Sequence, residues 1–160
     1  MNVIIREIAN ELREIFSESS SAQIYIRTIT FSDSAGWVED AFVPVHDFSW
    51  MDQDLQSISN LGKAFEKISA EFKGKIPDND MYGQYRIVLI LISDGYPTDN
   101  WKMPLEDMRE TLKGRTPVYC VIRLPGASEE VTTAFAGEGP DKNLRIMTYD
   151  DIENIIQLVR

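Results

Sequence analysis

A single cysteine, Cys120, and a single histidine, His46, are all the thiol and imidazole that this 160-residue chain offers. One cysteine excludes an internal disulfide framework and fits a reducing compartment, so the cytoplasm is the expected location. One histidine with one cysteine excludes a zinc set. Basic charge is short as well. Lys and Arg number 16 against 26 Asp and Glu, a net charge of −10, and no basic cluster offsets it. That balance repels phosphate backbones and anionic membranes, so neither nucleic acid nor membrane is an expected partner. No apolar run approaches the roughly 20 residues of a membrane span. Arg6, Glu7 and Glu11 interrupt MNVIIREIANELREIF, which therefore does not read as a signal peptide. Neither a Gly-rich phosphate loop nor a Gly-x-Ser-x-Gly elbow occurs, which leaves nucleotide enzymes and serine hydrolases little support.

What is present suffices for one domain. Hydrophobic residues make up 43% of the chain and charged residues 26%, ordinary proportions for a globular domain able to close one core. Ile4, Ile8, Leu12, Ile15 and Phe16 recur at helical spacing and predict an amphipathic helix over 3–16. AQIYIRTITFSD is rich in β-branched and aromatic residues and predicts a strand. Residues 32–36 read as a turn and WVEDAFVPV as a returning strand, with Pro44 suited to an edge. HDFSWMDQDLQSIS reads as a loop, a helix is expected over about 60–73, and KGKIPDNDMYGQ is a polar connection. Next come a strand RIVLILIS, a helix over LEDMRETLK with Pro104 in its first turn and Gly114 at its C-cap, and a strand PVYCVIRL. A short helix SEEVTTAFA capped by Ser128, a brief strand NLRIMTY and a closing helix DDIENIIQLV complete the pattern. After one hairpin, strands and helices alternate, which predicts an α/β domain with a mostly parallel sheet covered on both faces. Ligands of such sheets sit beyond the carboxyl ends of the strands.

The stretch IVLILISDGYPTDN, residues 87–100, sets two aspartates at such an end. By residue chemistry alone, Asp94 belongs to an Asp-Gly turn that stops a strand. Ser-Asp-Gly followed by Pro-Thr-Asp also resembles the von Willebrand factor type A (vWA) family, and is most similar to bacterial vWA domains associated with tellurium resistance. ITFSDSA, SISNLGKAFEKI and PVYCVIRLPGAS fall in that family's order, while DGYPTD carries the specific part of the match. The resemblance implies a Rossmann-like fold whose mostly parallel central sheet has one antiparallel edge strand and helices on both faces. It also implies a three-loop adhesion site, in which Mg2+ or Mn2+ takes oxygen ligands and keeps a position for a partner's carboxylate. On this chain the third-loop aspartate corresponds to Asp94 and the second-loop threonine to Ser59. The family's first strand and its Asp-x-Ser-x-Ser loop have no counterpart, and SDS at 32–34 lies in the hairpin turn. Asp94 and Ser59 alone supply few oxygens, so metal binding by this chain is expected to be weak or missing.

A sheet without that strand leaves two rows of unpaired backbone groups. The recorded start is expected to be an internal methionine. A strand borrowed through exchange or dimerisation is a second account. Direct closure of the two neighbouring strands into a reduced sheet is a third.

The expected function is a non-enzymatic module that binds a protein partner through Ser57, Ser59, Asp94, Tyr96, Thr98 and Asp99. By the resemblance, kinase- or phosphatase-like proteins of a shared stress or tellurium-resistance operon are its partners. The alternative is a small Rossmann-like hydrolase or transferase with Asp94 as acid or base, which needs a second catalytic group and an enclosed pocket. Plain structural roles compete at most positions. Ser57, Ser59 and Asn60 can each cap the helix that follows them. Thr98 and Asp99 suit a turn and cap before the 105–113 helix, Asp33 a hairpin turn, His46 a solvent-facing place, and Cys120 an inert apolar one. Trp37, Trp50 and Trp101 read either as packing lids or as an exposed contact patch.

Overall fold

The computed structural model describes residues 1–17, 23–54, 58–75, 85–93, 96–137 and 146–148. The first amphipathic segment forms α1, Asn2–Ser17, and buries Ile4, Ile8 and Leu12 along one stripe. The chain then crosses as β1 (Tyr25–Ile26) and β2 (Ile29–Phe31), returns as β3 (Ala35–Trp37) and β4 (Val43–Pro44), and enters α2 (Leu61–Phe72). There follow β5 (Val88–Ser93), α3 (Lys102–Leu112), a 3-10 turn at Lys113–Arg115, β6 (Val118–Arg123), α4 (Glu129–Ala136) and β7 (Ile146–Met147). The closing helix expected from DDIENIIQLV lies outside the described residues.

The class is α/β, as the alternation predicts, but one continuous sheet with a single antiparallel edge strand does not form among the described residues. Among the described residues there are two antiparallel pairs, β1–β4 and β2–β3, and one parallel sheet in the order β5–β6–β7. The strand expected over 22–33 breaks at Arg27 and Thr28. There the Glu39 carboxylate accepts from the Thr28 backbone N–H at 2.5 Å and from its hydroxyl at 2.7 Å, taking the place of a ladder partner. Ala35 already pairs with Phe31, so the hairpin turn shrinks to 32–34. Pro44 does occupy a strand, opposite Tyr25.

Arg27 holds this broken hairpin against α2. Its guanidinium donates to the carbonyls of Glu39 (3.1 Å) and Asp40 (2.9 Å) and pairs with Glu71 Oε2 at 3.0 Å. It also lies 4.2 Å from the centre of the Trp37 ring, a cation–π contact. Hydrogen bonds from Lys75 and then Arg27 hold the Glu71 carboxyl below its usual 4.5, against an opposing push from burial. A depressed carboxylate pKa adds stability that is present above the unfolded value and lost as pH falls through the folded one. Glu71→Gln is therefore expected to cost about 1–2 kcal/mol at neutral pH. Its melting temperature should converge on the parent's as the pH falls below 4.5. A gap of constant size across that range would show that the charge of Glu71 contributes nothing.

Two cores share β6. Tyr119 and Val121 face α2, α3 and α4, joining Leu61, Phe65, Met108, Leu112 and Phe135. Cys120 and Ile122 face α1, joining Ile4, Ile8, Leu12 and Met147. This division follows from the two-residue period of a strand and needs a helix on each face. Burial pushes the Cys120 thiol up to about 12. A maleimide or disulfide reagent at pH 8 should leave it unmodified in the folded chain and label it at once in denaturant; rapid labelling of folded protein would contradict this placement.

The remaining punctuation is mixed. Ser128 caps α4 as predicted, its hydroxyl accepting from the Val131 N–H at 3.4 Å. Pro104 lies in the first turn of α3, but that helix starts at Lys102, before the expected 105. The left-handed residue beyond α3 is Thr116, with φ of 45°, while Gly114 lies inside the 3-10 turn. Trp50 and Trp101 are buried and Trp37 is half-buried beneath Arg27, so all three pack as lids. His46 is exposed, 3.4 Å from Asp47. No helix among the described residues is long and apolar enough to cross a membrane.

Candidate functional site

Three loops meet at the carboxyl ends of the strands. The hairpin turn reaches the loop before α2 through the Asn60 N–H to Ser32 carbonyl bond (2.9 Å). The Asn60 side-chain amide (2.6 Å) and the Lys63 ammonium (3.2 Å) both donate to the Asp33 carbonyl. The loop after β5 joins from the other side. Thr98 N–H donates to the Ser59 carbonyl at 2.8 Å, and Ser59 N–H donates back to Thr98 Oγ1 at 3.3 Å. Asp99 spans the head of α2, accepting from the N–H groups of Gly62 and Lys63 at 3.1 Å each.

These bonds reassign several expected roles. Asp99 is a cap, but of α2 rather than of the helix that follows it, whose N-cap residue Trp101 makes no side-chain cap bond. Asn60 stands at the N-cap position of α2 without a side-chain cap bond: its Nδ2 donates to the Asp33 carbonyl and its Oδ1 accepts from the Thr98 hydroxyl at 3.3 Å. Asp99 does its work from a distant segment, satisfying two of the helix's orphan amides and setting negative charge at its positive end. Ser59 and Thr98 are brought together; Asp94 and Ser57 lie outside the described residues. Around this braced rim stand Ile58, Tyr96 and Met103, exposed by 44%, 70% and 70%. Tyr96 belongs to the expected partner surface. Ile58 and Met103 were not singled out by sequence, since isolated apolar residues in loops carry no periodic signal.

A second feature lies between the strands. Residues 24–31 and β5 both end at the rim, where Asn60 bonds the Ser32 carbonyl and Thr98 the Ser59 carbonyl, so they run in the same direction. Their starts meet where the Tyr85 hydroxyl donates to Gln23 Oε1 at 2.9 Å and the Tyr25 and Tyr85 rings stand 5.4 Å apart. No ladder joins them. A cavity of about 600 Å3 separates them instead, walled by α1 and α2 residues such as Ile5, Leu12, Phe65 and Ile68. Direct closure of these two strands into a reduced sheet, the third of the accounts above, thus does not occur among the described residues.

Every residue from Gln23 to Ser32 and from Tyr85 to Ser93 borders this cavity. A strand that showed it a face would contribute alternate residues; consecutive ones mean that both strands show it their edges. The consequence is visible in β5, where Val88, Leu89, Ile90 and Ile92 stay half-buried, whereas Val118–Ile122 of β6 are buried throughout. At about 24 cal/mol per Å3, a dry apolar void of this volume would cost on the order of 10 kcal/mol. That equals the whole stability of an ordinary domain.

Among the described residues no three His, Cys, Asp or Glu side chains converge where they could hold a metal. Asp99 is committed to helix amides and Ser59 meets Thr98 through its backbone. Asp94, the expected third-loop ligand, lies outside the described residues, and the described rim residues alone do not complete the near-octahedral oxygen set that Mg2+ or Mn2+ needs. The chain matches no protein-family model, no curated protein and no solved structure.

Proposed function

We propose that the chain is a vWA-like interaction module that binds a protein partner at the rim beyond its strand ends. The observation that carries this reading is the way polar and apolar side chains divide the work there. Asn60, Thr98 and Asp99 spend their hydrogen-bonding capacity on holding three loops together. Ile58, Tyr96 and Met103 are left to solvent. A braced scaffold presenting exposed apolar and aromatic side chains suits a contact surface, because little ordering entropy is lost on association.

The kinase- and phosphatase-like proteins implied by the vWA resemblance are the first partners to test. Calorimetric titration should give binding that weakens about tenfold or more in Tyr96→Ser and in Ile58→Ser, a loss typical of a central contact residue. The affinity should be the same in EDTA as in Mg2+, as expected of a contact made by these side chains alone. Binding untouched by either substitution would remove the rim from the interface. Binding abolished by EDTA would restore the cation-bridged form of the site.

A further inference from the structure

We propose that the cavity between β5 and residues 24–31 is a receptor groove for one extended apolar strand of a partner protein, running parallel to β5 and pairing with both edges. Backbone groups recur along each edge about every 3.3 Å, and another strand is the ligand whose own N–H and C=O groups recur at that spacing. Addition of a strand to an open edge is an established mode of peptide capture; here two edges face one another across a single groove.

The groove's walls specify the rest of the ligand. On β5, Leu89 and Leu91 pack toward the α2 core, and Ile90 and Ile92 toward the α1 core. A strand lying beside β5 meets a helix on each face, so it must be apolar at successive positions rather than at alternate ones. Its length follows from β5, which has six residues. Its direction follows from its neighbours, which both run from the Gln23 and Tyr85 end toward Ser32 and Ser93. Charge sets its flanks. Arg86 borders the groove at the start of β5. Asp54 borders it beside Gln53, whose N–H donates to Asn2 Oδ1 at the head of α1 (3.2 Å). Arg13, toward the tail of α1, donates to the Phe48 carbonyl, and Phe48 N–H bonds the carbonyl of Pro44, the partner of Tyr25, so the head of α1 lies toward the strands' carboxyl ends. An acidic residue before the strand and basic ones after it complete the match, and the chain's net charge of −10 favours a basic partner overall. The groove adjoins the rim, since Ser32, Ile58 and Ser59 border it, but strand pairing engages the edges of β5 and residues 24–31 and not the exposed side chains of the rim.

The test uses a synthetic peptide of six valines and isoleucines, with a glutamate before them and two lysines after them, and the same peptide with proline at its third apolar position. The apolar peptide should bind the 160-residue chain with a Kd on the order of micromolar, and proline should weaken it at least about tenfold by removing a ladder donor and fixing φ. Hydrogen exchange of amides in β5 and residues 24–31 should slow about tenfold or more on binding. Equal binding of both peptides, or binding without that slowing, overturns the proposal. If the free peptide is insoluble, each version is joined to Met1, which borders the groove, through a Gly-Ser linker. The apolar fusion alone should then raise Tm, by about 5 °C or more, and equal melting of the two fusions overturns the proposal. A dimer that protects the same amides without any peptide overturns it too, in favour of a second copy of this chain.

Discussion

Gly62→Ala is expected to lower stability by about 2–4 kcal/mol, although alanine inside a helix ordinarily gains about 1 kcal/mol over glycine. Gly62 sits in the first turn of α2, where an added Cβ would lie 2.3 Å from the Asn100 carbonyl oxygen and 2.9 Å from Asp99 Oδ2. One of these atoms is backbone, and the other belongs to a carboxylate bound to the Gly62 and Lys63 amides. No rotamer change relieves both. The 99–100 segment must retreat, losing a cap interaction of about 1 kcal/mol on top of the overpacking cost. At about 2–4 °C per kcal/mol for a chain of this size, a thermal scan should show a fall on the order of 10 °C. A variant more stable than the parent would show that the rim is not braced against α2, and would remove the rigid scaffold on which the proposed partner surface depends.

Phe65→Ala should cost more, about 4 kcal/mol. Phe65 is 2% exposed and stacks on Phe135 with ring centroids 5.7 Å apart and planes 14° from parallel. Phe135 in turn meets Tyr119 edge-on at 5.5 Å, and the Arg109 guanidinium lies 4.5 Å from the Tyr119 ring centre. Removing the first ring leaves a void beneath α2 and strips one face from this stack. Urea titration should show a lower midpoint with an unchanged slope. Phe65 also walls the groove between β5 and residues 24–31. A loss below about 1.5 kcal/mol would therefore mean that the groove collapses onto the missing ring and absorbs the cost.

Both substitutions act at contacts that no local pattern announces. The three-residue and four-residue spacing of Leu61, Ala64, Phe65, Ile68 and Phe72 located α2 and its buried face without any knowledge of what covers it. The same spacing says nothing of Asn100 lying against Gly62, since the two are 38 positions apart and a helical glycine reads only as a weak point. Asp99 was legible as a cap but not as the cap of α2, because a capping carboxylate carries no mark of which helix it will reach. The break at Arg27 and Thr28 was hidden for a related reason. Ile24, Ile26 and Ile29 promise a continuous strand, and only the arrival of Glu39 offers Thr28 a better partner than a ladder.

The run Ile87–Ile92 shows most clearly where local reading ends. Six aliphatic residues predict a strand covered on both faces, and α1 and α2 do cover both faces of β5. Coverage of the edges is a separate matter, since burial of a face is set by side chains and pairing of an edge by backbone that every residue shares. By itself, the sequence determined the α/β alternation, the faces of α1 and α2, the Ser128 cap and the burial of Cys120, all consequences of repeats of 3.6 and 2 residues and of near-neighbour chemistry. Only the tertiary structure decided that Asp99 clamps α2, that Arg27 ties the hairpin to Glu71, and that β5 faces residues 24–31 across open space. Those outcomes depend on which distant segments arrive side by side, and backbone hydrogen-bonding groups, identical along the chain, carry no label for their partners.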